Sequence, residues 1–181
     1  MTISTTAYKA PARWLHWLMA LLVVPMIPVG FIMIQDGLPR ALQNSMFISH
    51  KNLGTLVLLL VIVRLIYRWR NAPPPEPAHL PGWQVRIAGL THTALYALLL
   101  IMPLAGYIRV RAGGFPIEAL DALGIPSLVP RSDALAEVAK SVHFFGAWAL
   151  ALLLAMHIGA ALFHGLIKRD GVFSRMWPRS T

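Results

Sequence analysis

The chain has no cysteine. That removes disulfides, iron–sulfur clusters, thiolate haem ligation, covalent haem attachment through C-x-x-C-H, and cysteine nucleophiles. Charge is scarce too. Only 13% of the 181 residues are charged and 57% are apolar, where a soluble domain usually carries about 25% charged residues. So small a chain cannot hide that much apolar surface inside a globule, and disordered chains are polar and highly charged. An integral membrane protein is the reading that survives. Acidic residues are the rarest of the charged ones, 7 against 16 Lys and Arg, for a net charge of +9. A nucleic-acid binder would cluster its basic residues on a polar face. Here they stand at the edges of apolar runs, where membrane proteins keep them. The expected partner is the lipid bilayer, with no nucleic acid.

Trp14–Gln35 and Ile87–Ile108 are uncharged runs of 22 residues each, and Ser141–Ile167 is one of 27. The run Leu53–Val63 reaches spanning length when started near Ile48 and carried to Trp69, with Arg64 and Arg68 snorkelling at its end. These runs predict an all-α membrane protein, a single domain over 1–181 with four transmembrane helices. Their bounds are about 11–35, 48–69, 84–108 and 141–167. The first run is longer than a signal-peptide core and ends in no small-residue cleavage pattern; Pro25 and Pro28 predict a kink in it. Basic residues alternate between connections. The N-terminus, the second connection and the tail together carry +8, and the first and third connections +1. The positive-inside rule then places both termini and the Pro-rich loop 73–81 in the cytoplasm. The third connection, Arg109 to Lys140, faces outside and opens as a loop at Gly113, Gly114 and Pro116.

Six of the seven histidines fall in or at the ends of the spans: His16, His50, His92, His143, His157 and His164. Ionisable groups at membrane depth are costly, so each is a functional candidate; the bland alternative is an interfacial or interhelical hydrogen bond. His143, His157 and His164 are spaced by close to whole helical turns and share one face, and the first interval rises about 21 Å. His50 can meet His143 on the outer side, and His16 can meet His157 on the inner side. The inner pair stays open on spacing alone, because His16 lies closer in depth to His164 and His92 is a further candidate. Zinc would usually recruit four ligands, often carboxylate or thiolate, which these spans lack. Two opposed imidazoles instead suit the axial positions of a haem, and two such pairs predict two non-covalent haem b groups.

Ala12-Arg13-Trp14-Leu15-His16-Trp17, His50-Lys51-Asn52-Leu53-Gly54, Val63-Arg64-Leu65 before the Pro-rich loop, His143 with His157, and the tail Arg175-Met176-Trp177-Pro178-Arg179 resemble bacterial cytochrome b561. The resemblance covers nearly the whole chain. It implies a four-helix dihaem protein of the bacterial inner membrane that exchanges electrons with the quinone pool. Its ligand pattern, carried over, pairs His16 with His157 and His50 with His143. One branch of the family is a superoxide oxidase, passing an electron from external superoxide to ubiquinone. His164 and the cytoplasmic loop resemble a quinone-contacting region, with His79 where some relatives have lysine.

A bis-histidine haem has no open coordination position, which disfavours oxygen activation at iron and leaves electron transfer. His164 or His92 can supply the protons that quinone reduction takes up, or make a haem-propionate or packing contact instead. Lys51, Arg109 and Arg111 can focus a small anionic donor such as superoxide toward the outer haem; the alternative is helix-end and loop charges offset by Glu118, Asp121, Asp133 and Glu137. Two other classes stay in view. One is the membrane-anchor cytochrome b subunit of a larger dehydrogenase or hydrogenase. The other is a non-redox bundle with structural histidines.

Overall fold

The computed structural model describes residues 7–177. It is helical throughout, with no strand among the described residues: α1 Ala10–Ile32, α2 Arg40–Arg70, α3 Gly82–Ala112, a short α4 Glu118–Ala122 and α5 Asp133–Leu162. A π-helical turn, Phe163–Lys168, continues α5, and a 3-10 turn follows at Phe173–Arg175. α1, α2, α3 and α5 with its π turn are each long and apolar enough to cross a bilayer. Helix is the form such segments must take, because hydrocarbon offers no partner for a backbone N–H or C=O. α1 runs unbroken through Pro25 and Pro28.

Three helices extend beyond their apolar runs. α2 begins at Arg40 rather than near 48, α3 continues to Ala112, and α5 starts at Asp133. An apolar run reports the thickness of the hydrocarbon slab, whereas the helix carries on into polar surroundings where caps and charges suit it. Ser132 Oγ accepts the Leu135 N–H at 3.3 Å and Asp133 occupies the first turn, both favourable at a helix N-terminus. Arg109 and Arg111 fill the last turn of α3, where the dipole favours cations. The third connection shrinks accordingly to 113–132 and folds around α4.

α3 packs along α5, and α2 lies against both α1 and α3. Their seam is the cluster Val23, Val57, Leu95, Met102 and Leu150, all buried. The outward faces are apolar instead of polar, with Leu21, Leu59, Leu90 and Leu152 all exposed. Trp14, Trp69 and Trp83 project near the ends of three spans, an interfacial belt of the kind membrane helices carry.

The two ends of the bundle differ. At the end that gathers both termini, Tyr8 N–H donates to the Arg175 carbonyl, Trp17 Nε1 to the Met176 carbonyl and Lys9 Nζ to Asn71 Oδ1. Arg175 is buried and reaches the Pro74 and Pro75 carbonyls at 3.1 and 2.6 Å. Pro178 and Arg179 of the tail motif lie outside the described residues. At the opposite end α4 forms a cap, pegged by the fully buried Ile117.

Candidate haem sites

Two pairs of imidazoles face each other across the bundle, one toward each end. His50 on α2 and His143 on α5 sit below the α4 cap with ring centroids 6.1 Å apart and planes at 76°. His16 on α1 and His157 on α5 repeat that geometry near the termini end, at 6.1 Å and 77°. A metal–imidazole nitrogen bond is about 2 Å and the ring centre lies about 1 Å behind the nitrogen, so two rings ligating one metal from opposite sides stand about 6 Å apart. Both centroid separations match that spacing. His92 approaches His157 more closely, at 5.5 Å, a spacing shorter than that arrangement.

The surroundings fit ligation. Met102 carbonyl can only accept, so His143 Nδ1, 2.9 Å away, donates to it. That leaves Nε2 as the free lone pair, the usual way a second partner sets a ligand's tautomer. At Gly106 an added Cβ would lie 3.1 Å from His143 Cε1, and at Gly30 one would lie 3.0 Å from His50 Cε1. A Cβ at either position would push its imidazole aside by a few tenths of an ångström. In the other pair, Arg64 donates to the Ala12 carbonyl at 2.8 Å and the Tyr96 hydroxyl at 3.1 Å, and stands 3.5 Å from His16 Nδ1. Arg68 also lies over the Tyr96 ring. Two cations at depth beside one pair are suited to an anionic edge such as a haem carboxylate. Among the described residues no cluster of three or more His, Asp or Glu is arranged for a bare metal ion, and two-ligand sites are what a haem asks of its protein.

The comparisons give the chain a family that uses haem b. Residues 7–179 match the family model described as prokaryotic cytochrome b561. The chain belongs to the prokaryotic cytochrome b561 family. It is 31% identical to cytochrome b561 homolog 2 of Escherichia coli K12 over 92% of this chain and 88% of that protein. With cytochrome b561 homolog 1 of the same strain it shares 32% over 92% and 94%. The probable superoxide oxidase CybB of Yersinia pestis is 27% identical over 91% and 92%. As a cytochrome b561 this chain is a bacterial membrane electron-transfer protein that uses haem b.

The remaining sequence candidates are spread over both ends. Lys51 Nζ contacts Glu118 Oε1 at 2.6 Å and the Pro116 carbonyl at 2.7 Å. Arg111 Nη2 contacts Asp121 Oδ1 at 2.6 Å. Arg109 makes no ion pair among the described residues. Two of the three cations are thus neutralised in place by acids of the cap. Burial alone would raise the Glu118 carboxyl; the hydrogen bonds from Lys51, its own N–H and Asn52, with the Lys51 charge, outweigh burial and hold it below the usual carboxylate range.

At the termini end His92 lines a cavity of about 290 Å³ with Tyr8, Arg68, Glu76, Thr93 and Tyr96. His164 turns to Asp170, with its Nδ1 2.6 Å from Oδ2, and His79 Nε2 stands 3.8 Å from the same oxygen. Sequence reading missed Gly30, Gly106 and the partner role of Asp170. Nothing in spacing marks a glycine that faces an imidazole on another helix.

Proposed function

We propose that this cytochrome b561 carries two haem b groups, one held by His50 and His143 and one by His16 and His157, and passes electrons from a small external donor to a quinone. The observation that carries the reading is the repeated pair geometry, 6.1 Å twice on one helix. Bound there, each haem would supply reversible one-electron transfer at a coordinately saturated iron. The chain does the rest. The Met102 carbonyl orients His143, and Gly106 and Gly30 leave His143 and His50 room. Arg64 and Arg68 keep positive charge beside the other pair. The +8 end, with both termini, faces the cytoplasm of an inner-membrane protein by the positive-inside rule, so the α4 cap lies outside.

Superoxide is the donor this arrangement suits and ubiquinone the acceptor. The resemblance to a probable superoxide oxidase supports that choice, as does the Arg109 charge close to His50. With Lys51 and Arg111 paired to acids, Arg109 is the one of those three left to attract an anion. His164 and His79 at the opposite end, with His92 at its cavity, are the groups available to a quinone and its protons. Stopped-flow mixing tests this reading. Superoxide should reduce both haems and ubiquinone-1 should reoxidise them. Arg109→Glu should slow the first step several-fold and flatten its salt dependence, since steering fades over the Debye length of about 8 Å at physiological salt. Wild-type haems that superoxide leaves oxidised would sink the donor assignment.

A further inference from the structure

Asp170 has no part in holding either haem, yet its carboxylate is fixed at both oxygens. Oδ1 accepts the Val172 N–H at 3.3 Å and Oδ2 faces His164 Nδ1 at 2.6 Å, with His79 Nε2 at 3.8 Å. The side chains of Asp170 and His164 are mostly buried. Burial opposes the charge on Asp170, but the hydrogen bonds from His164 and Val172 and the nearby histidines prevail and hold its carboxyl below the usual carboxylate range. An ionised carboxylate can only accept, so His164 Nδ1 is the donor.

The backbone is bent to make this contact. The last turn of the helix opens into a π turn that carries His164, and π turns gather at functional positions. Arg169 then adopts φ 49°, the left-handed region that a residue with a Cβ rarely enters. That reversal returns Asp170 to the histidine six residues before it. The other charged groups nearby are engaged elsewhere: Lys168 over the Phe163 ring, Arg169 on the Leu166 carbonyl, and Arg175 with Glu76.

We infer that Asp170 is a positioning residue for proton delivery: it holds His164 with the hydrogen on Nδ1, and so makes Nε2 the atom that exchanges a proton with a bound quinone. The inference rests on the reading that a quinone is reduced at this end. Reduction of a quinone to its hydroquinone takes up two electrons and two protons. The electrons arrive one at a time, originating from the external donor. For each proton, Nε2 first takes up H+ from the aqueous side, making the ring an imidazolium, and then gives it to a quinone oxygen; the other hydrogen stays on Nδ1 in its bond to Asp170. A carboxylate behind a histidine is the general device for fixing tautomer and ring orientation.

Two measurements test it. In histidine-labelled, dithionite-reduced protein in nanodiscs, 15N NMR reads the tautomer of the His164 ring, which is identified by its loss in His164→Gln. The neutral ring should carry its hydrogen on Nδ1 in the wild type, become a mixture in Asp170→Asn, and return in Asp170→Glu. Single-turnover reoxidation by ubiquinone-1 should slow on the order of 10–100-fold in Asp170→Asn, with reoxidation by ferricyanide, which takes no proton, unchanged. A neutral wild-type ring that carries its hydrogen on Nε2 overturns the inference without any variant needing to fold. Equal ubiquinone-1 rates in wild type and Asp170→Asn overturn it while the quinone reading stands. Wild-type haems that ubiquinone-1 does not reoxidise overturn the quinone reading, and the proton-delivery role falls with it.

Discussion

The cap end closes with side chains and the termini end closes largely on backbone. Under the cap, Ile117 is 1% exposed and Glu118 engages Lys51 through one oxygen and Asn52 through the other, while Asn52 Oδ1 takes the Ala119 N–H. At the opposite end Arg175 grips two proline carbonyls and the seam leaves a cavity of about 290 Å³ beside His92. Two histidine pairs of equal geometry thus sit beneath closures of unequal tightness. A packed cap suits a donor that is small or that transfers an electron without entering. A looser end with histidines and a cavity suits an acceptor that must also be protonated.

The largest effect should come from breaking one pair and leaving the other. His143→Ala should lower haem content from two per chain to one and leave the His16–His157 site spectrally intact; His157→Ala should do the reverse. Haem extraction with reduced-minus-oxidised spectra reads both. If His92→Ala removes a haem and His157→Ala does not, the termini-end pair is misassigned, which the 5.5 Å approach of those two rings makes the specific rival.

A smaller effect is expected from crowding one site alone. Gly106→Val puts branched carbon where even a Cβ would lie 3.1 Å from His143 Cε1. Occupancy of the cap-end haem should fall several-fold, and the other haem should be unaffected. Equal loss of both haems would mean that the substitution disturbs the α3–α5 packing as a whole and not the ligand beside it.

The smallest effect concerns the cap latch and acid. The Glu118 carboxyl is depressed in the folded protein, so its stabilising contribution is present above the ordinary carboxylate range and is lost as pH falls through the folded value. Glu118→Gln should remove that acid-dependent part and cost little at neutral pH, on the order of 0–1 kcal/mol for a partly exposed pair. Limited proteolysis of the 113–132 connection across pH reads it. Wild type should become more readily cut as pH drops below about 4, and Glu118→Gln should be cut more evenly across the range. A pH-independent wild type would show that Ile117 alone holds the cap.

How much of this was legible in the chain follows from the range of each interaction. Membrane residence, four spans and the basic bias to one end follow from composition and from where charge interrupts apolar runs. Those are properties of the solvent each segment meets, so no contact need be known. The 14-residue spacing of His143 and His157 was readable for the same reason, since helical periodicity is local and a single helix carries both. The helix ends were less so, because Asp133–Lys140 is helical by capping and Arg40–Ile48 by continuation, and neither by hydrophobicity.

Only the tertiary structure decided which imidazoles face each other across a gap. Depth counted along the chain left His157 and His164 as rivals for His16, with His92 a further candidate; the fold sets the His16 and His157 ring centres 6.1 Å apart, brings His92 to 5.5 Å from His157, and turns His164 to Asp170. It also decided that Lys51 and Arg111, alike with Arg109 in the sequence, are matched to Glu118 and Asp121. A charge's partner, a histidine's tautomer and a glycine's neighbour lie on other helices. Such contacts are fixed by how whole faces pack, and no periodicity within one segment records them.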